Sequence, residues 1–155
     1  MKTNRKKLII CLAIPLAVGG LAALLSGGMR TYHTLNQPPL SPPGWVFPVV
    51  WSILYLLMGY ASYRILISDA DPDAIRKALT FYFIQLALNF LWPLVFFGLQ
   101  QYIVAFILLL VLWVFIYLTM YSFGKIDDTA QNLLIPYLLW VTFAGYLNLG
   151  VALLN

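Results

Sequence analysis

Five apolar runs, each close to the length of one membrane crossing, constrain this chain more than any other feature of its sequence. A bilayer core about 30 Å thick takes about 20 apolar residues per helical crossing. Lipid offers backbone groups no partners, so a crossing segment must bond internally as a helix or close into a barrel. The runs Leu8 to Ser26, Trp45 to Ile67, Ala78 to Leu99, Ile103 to Phe123 and Leu133 to Leu154 therefore predict an all-α integral membrane bundle of five transmembrane helices. They fill most of the 155 residues and leave room for a single domain, 1–155, without a linker. With 63% hydrophobic and 9% charged residues, the chain lies far from the soluble norm of about a quarter charged.

Charge then predicts orientation. The acids Asp69, Asp71, Asp73, Asp127 and Asp128 lie in two short loops. With the N-terminus inside, Lys2, Arg5, Lys6, Lys7, Arg64, Arg76, Lys77 and Lys125 fall on the inner side and only Arg30 on the outer. Lys and Arg collect on the cytoplasmic side, so the N-terminus is expected in the cytoplasm and the C-terminus outside. The net charge of +4 reports this asymmetry and gives no ground for expecting nucleic acid. The first run exceeds the 7–15 residues typical of a signal-peptide core and lacks a clear A-x-A site, so it predicts a retained helix.

Between the first and second runs lies a long connection, Met29 to Gly44, carrying Pro38, Pro39, Pro42 and Pro43. Proline at that density precludes a regular helix, and long loops in compact proteins are usually functional. The connection reads as a lid on the outer side. Gly27 and Gly28 end the first helix, Asp73 is the expected cap of the third, Pro93 is expected to kink it, and Asp128 or Thr129 is expected to cap the fifth.

No ionisable side chain lies at mid-depth, which weighs against proton coupling and charge-selective conduction. One cysteine, Cys11, and one histidine, His33, supply neither a disulfide nor a metal set. What remains is aromatic and amide chemistry. At 100° per residue, Trp51, Tyr55, Met58 and Ser62 share a face, as do Gln85, Asn89, Trp92 and Phe96, and Trp140, Ala144, Leu147 and Val151 with Asn148 beside them. Amides in lipid need partners, so Gln85, Asn89 and Asn148 should face the interior. Counting residues puts Trp51 on the lid side and Trp140 on the opposite side. Trp113 and Tyr117 form a similar strip on helix 4, though Trp45 and Trp113, judged singly, read as interface or packing residues. The small residues Ala13, Ala17, Gly19, Gly20 and Ala23 suit close helix approach, within one subunit or between two.

Three ordered motifs are recognisable: Pro38-Pro39-Leu40-Ser41-Pro42-Pro43-Gly44-Trp45-Val46-Phe47-Pro48-Val49-Val50-Trp51 with Tyr55 to Tyr60 after it, Asn89-Phe90-Leu91-Trp92-Pro93, and Pro136-Tyr137-Leu138-Leu139-Trp140 with Tyr146-Leu147-Asn148. Together they resemble the tryptophan-rich sensory protein and translocator protein family, also called the peripheral benzodiazepine receptor family. The resemblance implies a five-helix homodimer in a bacterial cell membrane that binds porphyrins such as protoporphyrin IX beneath the loop between helices 1 and 2. Relatives also take cholesterol and synthetic isoquinoline or benzodiazepine drugs. By position it implies ligand contacts at Tyr32, Pro42, Trp51, Asn89, Trp92, Trp140, Ala144 and Leu147, to which Tyr55 and Phe90 are added from the same faces and motifs. No basic residue follows Lys125, so the cholesterol pattern of animal members, an aromatic followed by a basic residue near the end of helix 5, is missing.

A flat macrocycle gains from indole walls. Excited by light it oxidises or sensitises oxygen, and indole is readily oxidised, so Trp51 and Trp140 are the candidate catalytic pair for a light- and oxygen-dependent porphyrin breakdown. No cofactor is expected beyond porphyrin as ligand or substrate. The alternatives are a carrier of tetrapyrroles or other hydrophobic solutes and a sensor acting through a protein partner.

Overall fold

The computed structural model describes residues 4–27 and 32–155. Lys2 and Arg30, both counted in the charge asymmetry, and Gly28 and Met29, assigned to the end of the first helix and the start of the lid, lie outside the described residues. The helices are α1 (Arg5–Ser26), α2 (Val46–Leu66), α3 (Pro72–Pro93), α4 (Tyr102–Gly124), α5 (Asp128–Leu133) and α6 (Ile135–Leu154). Among the described residues five spans are long and apolar enough to cross a bilayer, the fifth made of α5 and α6 together. The expected all-α five-span bundle is present.

Local chemistry sets the ends. The Asn4 side chain accepts the Lys7 amide at 3.1 Å and opens α1, and Gly27 closes it at φ +82°, a left-handed conformation suited to glycine. Two expected caps are displaced by one position or two. Asp71, not Asp73, caps α3; Pro72 takes the first helical position, where its missing N–H costs nothing, and Asp73 donates its amide to Asp71. Asp127, not Asp128 or Thr129, caps α5 by accepting the Thr129 amide at 2.9 Å. The fifth span then breaks at Leu134, because Pro136 enters as the second residue of α6. Pro93 acts through a wider turn: Leu94–Gly98 is π-helical, with Leu99 donating to the Leu94 carbonyl five residues back at 2.9 Å.

The core is densest toward the end of the bundle that carries the N-terminus. Met58, Ala61, Ile65, Ala78, Tyr82, Ile116, Phe123 and Tyr137 are 0–1% exposed. Apolar side chains such as Leu24, Leu139 and Leu153 point outward, as lipid-facing residues must. At the end of the bundle that carries the N-terminus, Arg64 Nε donates to Asp127 Oδ2 at 2.7 Å, tying α2 to the start of α5. Asn4 N–H donates to the Tyr63 hydroxyl at 2.7 Å and ties α1 to α2.

The lid is fastened at several points. A 3₁₀ turn at Tyr32–Thr34 starts its described part. Gln37 Nε2 donates to the Tyr32 carbonyl at 2.7 Å, Tyr146 Oη to the Pro39 carbonyl at 2.6 Å, and Asn155 Nδ2 to the Asn36 carbonyl at 2.8 Å. Pro38 rests on Gly150, where any side chain would overlap the proline ring. Leu40, at the exposed tip, holds φ +70° without being glycine.

Candidate functional site

A chamber of about 330 Å³ lies between α1, α2 and α3. Helix α1 contributes small residues, Gly19, Gly20, Ala22, Ala23 and Ser26, with Leu16 below them. From α2 come Phe47, Trp51 and Tyr55, with Pro48 and Ser52; from α3 and its π turn come Asn89, Trp92, Pro93 and Phe97. The space exists because α1 presents backbone where larger side chains would fill it. A second pocket of about 30 Å³ lies directly under the lid, bounded by Tyr32, Gln37, Ser41, Ala144, Leu147 and Val151. Phe47, Trp92 and Phe97 line both, so the two spaces share one aromatic partition.

The walls are ordered by ring contacts and hydrogen bonds. Trp51 stacks on Tyr55, centroids 5.6 Å apart, and meets Tyr137 edge-on at 6.2 Å. Trp92 stacks on Phe96 at 5.0 Å, and its indole N–H donates to Asn148 Oδ1 at 2.9 Å. Asn148 in turn donates to the Tyr102 carbonyl at 2.9 Å, locking α3, α4 and α6 together. Beneath the chamber Tyr55 Oη donates to Asn89 Oδ1 at 3.0 Å, Asn89 Nδ2 donates to Tyr137 Oη at 2.7 Å, and Tyr137 donates to Gln85 Oε1 at 2.7 Å. This chain fixes both the amide at the floor and the Tyr55 ring in the wall. The expectation that Gln85, Asn89 and Asn148 face inward holds: they are 1%, 3% and 1% exposed. Gln85 Nε2 and the Trp140 indole N–H are buried and have no hydrogen-bond partner among the described residues.

The structure divides the residues named from the sequence. Trp51, Tyr55, Asn89 and Trp92 line the chamber, and Tyr32, Ala144 and Leu147 line the pocket under the lid. Pro42 enters through its carbonyl, which accepts the Tyr32 hydroxyl at 2.6 Å. Burial pushes the Tyr32 phenol above its usual range, against a smaller downward pull from the Ser41 hydroxyl. Phe90 and Trp140 line neither space. Trp140 packs at 5.8 Å against Phe47, in the first turn of α2. That corrects the placing of Trp140 on the side away from the lid: the fifth span starts at Asp128, five residues before the assumed start, so Trp140 lies higher in the bundle. Trp45 is 69% exposed, and Trp113 donates to Thr142 on an exposed face, both outside the chamber as expected. Sequence reasoning missed the α1 wall and Tyr137. On sequence alone the α1 glycines and alanines look like a packing stripe, and the signal for Tyr137 is that it shares a face with Val141, Ala144 and Asn148.

With this geometry in view, comparison with known proteins is decisive. The TspO/MBR family pattern matches residues 11–154. The chain belongs to the TspO/MBR family. It is 37% identical over 150 residues to the tryptophan-rich protein TspO of Chlorobaculum tepidum, covering 96% of this chain and 95% of that one. It is 42% identical over 124 residues to the tryptophan-rich sensory protein of Cereibacter sphaeroides, covering 80% and 76%. To the translocator protein of Bos taurus it is 39% identical over 123 residues, covering 78% and 72%. With its five spans, this TspO/MBR member is an integral membrane protein.

Proposed function

We propose that the protein is a membrane receptor whose chamber takes a flat, apolar tetrapyrrole, protoporphyrin IX being the reference ligand. The observation that carries this reading is the chamber itself: indole and phenol rings form its walls, and one fixed amide, Asn89, forms its polar floor. A volume of about 330 Å³ is at the small end of ligand sites, and the adjoining space under the lid adds about 30 Å³ on the far side of the Phe47–Trp92–Phe97 partition. Synthetic isoquinoline or benzodiazepine compounds fit the same description of an aromatic body with a few polar atoms. The protein would work as a homodimer in a bacterial cell membrane, N-terminus in the cytoplasm. Titrating protoporphyrin IX into the purified protein tests binding: saturable quenching of tryptophan fluorescence supports it, and linear, non-saturable quenching discards it.

A second reading is favoured by the ring contacts. Trp51 forms the wall and stacks on Tyr55, so an excited porphyrin in the chamber would have an oxidisable indole beside it with a second oxidisable ring behind. Light- and oxygen-dependent breakdown of the porphyrin would follow, with Trp140 one ring further out, in contact with Phe47. Illumination of wild-type, Trp51→Phe and Trp140→Phe proteins with porphyrin and oxygen separates the roles. Loss of a discrete product in Trp51→Phe with quenching retained supports chemistry; equal turnover in all three leaves a receptor alone. A carrier function is disfavoured by the inner half, where Met58, Ala61, Ile65 and Phe123 are fully buried and leave the chamber closed below.

A further inference from the structure

We propose that the chamber is loaded sideways, from the hydrocarbon phase of the bilayer, through a slot between the middle of α1 and the outer end of α2. The inference rests on the receptor reading and adds the route by which ligand arrives. Five of the residues lining the chamber are exposed, and all five lie on these two helices: Leu16, Gly20 and Ala23 on α1, Pro48 and Ser52 on α2. Their spacings of four, three and four residues make each set a single stripe along its helix, so the exposed lining forms two facing edges. Those from α3 and the π turn are buried or half-buried.

The slot has one fixed end. There a Cβ on Gly59 would lie 2.6 Å from the Cys11 carbonyl oxygen and 3.0 Å from Leu12 Cα, so α1 and α2 touch backbone to backbone. On the other flank of α1 the π turn after α3 comes close, a Cβ on Gly98 lying 3.8 Å from Ser26 Cα, so that flank is covered. Beyond the Gly59 contact a Cβ on Gly20 would meet nothing within 4 Å. From Leu16 to Ala23 the opening runs along about 10 Å of α1, at 1.5 Å rise per residue. The rim is apolar apart from Ser52, whose hydroxyl is spent on the Pro48 carbonyl at 2.7 Å, so nothing at the edge repels a solute dissolved in lipid. The lid, by contrast, is held by hydrogen bonds from Tyr146 and Asn155 and by the Pro38 contact with Gly150. Passage through the slot breaks none of these.

The test uses the full chain in lipid vesicles preloaded with protoporphyrin IX, with loading followed in time by tryptophan quenching. Gly20→Phe and, from the opposite edge, Ser52→Phe are expected to slow both loading and release about tenfold, a rise of about 1.4 kcal/mol in the barrier. A lid bridged by a bifunctional thiol reagent between Asn36→Cys and Asn155→Cys, in a Cys11→Ser background, is expected to load within about twofold of the unbridged protein. Slowing by the bridge equal to or greater than that by the slot variants overturns the proposal, as do slot variants that load at the wild-type rate. Trp113→Ala, on an exposed face away from the slot, should load normally; if Gly20→Phe does not fold, Ser52→Phe decides. No saturable quenching in the wild-type protein would sink the receptor reading itself, a result distinct from any pattern among the variants.

Discussion

At the residue scale the chamber is defined as much by missing side chains as by aromatic ones. A methyl on Gly19 would overlap the Tyr55 ring, and that ring is held by its bond to Asn89. Gly19→Ala is therefore expected to break the Tyr55–Asn89 bond and to lower stability by about 1–3 kcal/mol through overpacking, read as a loss of melting temperature in detergent, with porphyrin affinity reduced as well. Asn89→Leu would strip partners from Tyr55 and Tyr137 at once, costing about 1–3 kcal/mol for buried polar groups left unpaired; an unchanged melting temperature would count against the network. Trp51→Ala should weaken protoporphyrin IX binding about tenfold, close to 1.4 kcal/mol, whereas Trp113→Ala, on the outer face, should leave affinity unchanged in the same titration. These contrasts were partly legible beforehand. Helical phase placed Trp51, Tyr55, Asn89 and Trp92 on inward faces because amides cannot face lipid unpaired. The role of Gly19 and Gly20 was not legible, since a small residue on a helix surface looks the same whether it admits a neighbouring helix or leaves a void.

At the element scale, the rim at the N-terminal end of the bundle and the lid behave differently. Burial pushes the Asp127 carboxyl up, but the hydrogen bond from Arg64, the Thr129 and Ala130 amides and the Arg64 charge together hold it below the usual carboxylate value. A carboxyl depressed in the folded state contributes stability that is present above its unfolded value, about 3.9, and is lost as pH falls through the folded one. Melting temperature should accordingly fall as pH drops below about 4, and Asp127→Asn should lower it at neutral pH while flattening that acid limb. A melt of both proteins between neutral pH and acid checks this. Leu40, left-handed at the lid tip, should accept glycine with a gain of up to about 1 kcal/mol from relieved backbone strain, measured as a higher melting temperature. The caps show where sequence reading stops short. Asp71 and Asp127 each precede other cap-competent residues, and the choice among them is made by Pro72 taking the first helical turn and by Arg64 reaching Asp127 from another helix. The second of those contacts is long-range and invisible to local pattern.

At the scale of the whole molecule, the five crossings were the most legible feature, because bilayer thickness fixes helix length and lipid forbids unpaired backbone. Relative height was less legible. Residue counting puts Trp140 too low because the break at Leu134 hides an extra helical stretch, Asp128–Leu133, within the fifth span. The positive-inside asymmetry predicts that a cysteine introduced at Asp69, between α2 and α3, reacts with a membrane-impermeant thiol reagent only from the cytoplasmic side, in a Cys11→Ser background. Labelling of intact cells from outside would reverse the orientation.

The five-residue turn after Pro93 has a consequence for mutational scanning. Trp92 touches Phe96 at 5.0 Å and also the next residue, Phe97, at 6.0 Å. In an ordinary 3.6-residue turn only the first of those neighbours would sit on the same side of the helix. The widened loop of backbone thus works as a phase shifter, advancing the angular position of everything after it. Excising a single residue from 94–96 would leave composition and hydropathy almost unaltered, yet would change which phenyl ring stands beside Trp92 in the partition. A deletion there is predicted to be more damaging to ligand capture than most point substitutions in the same stretch.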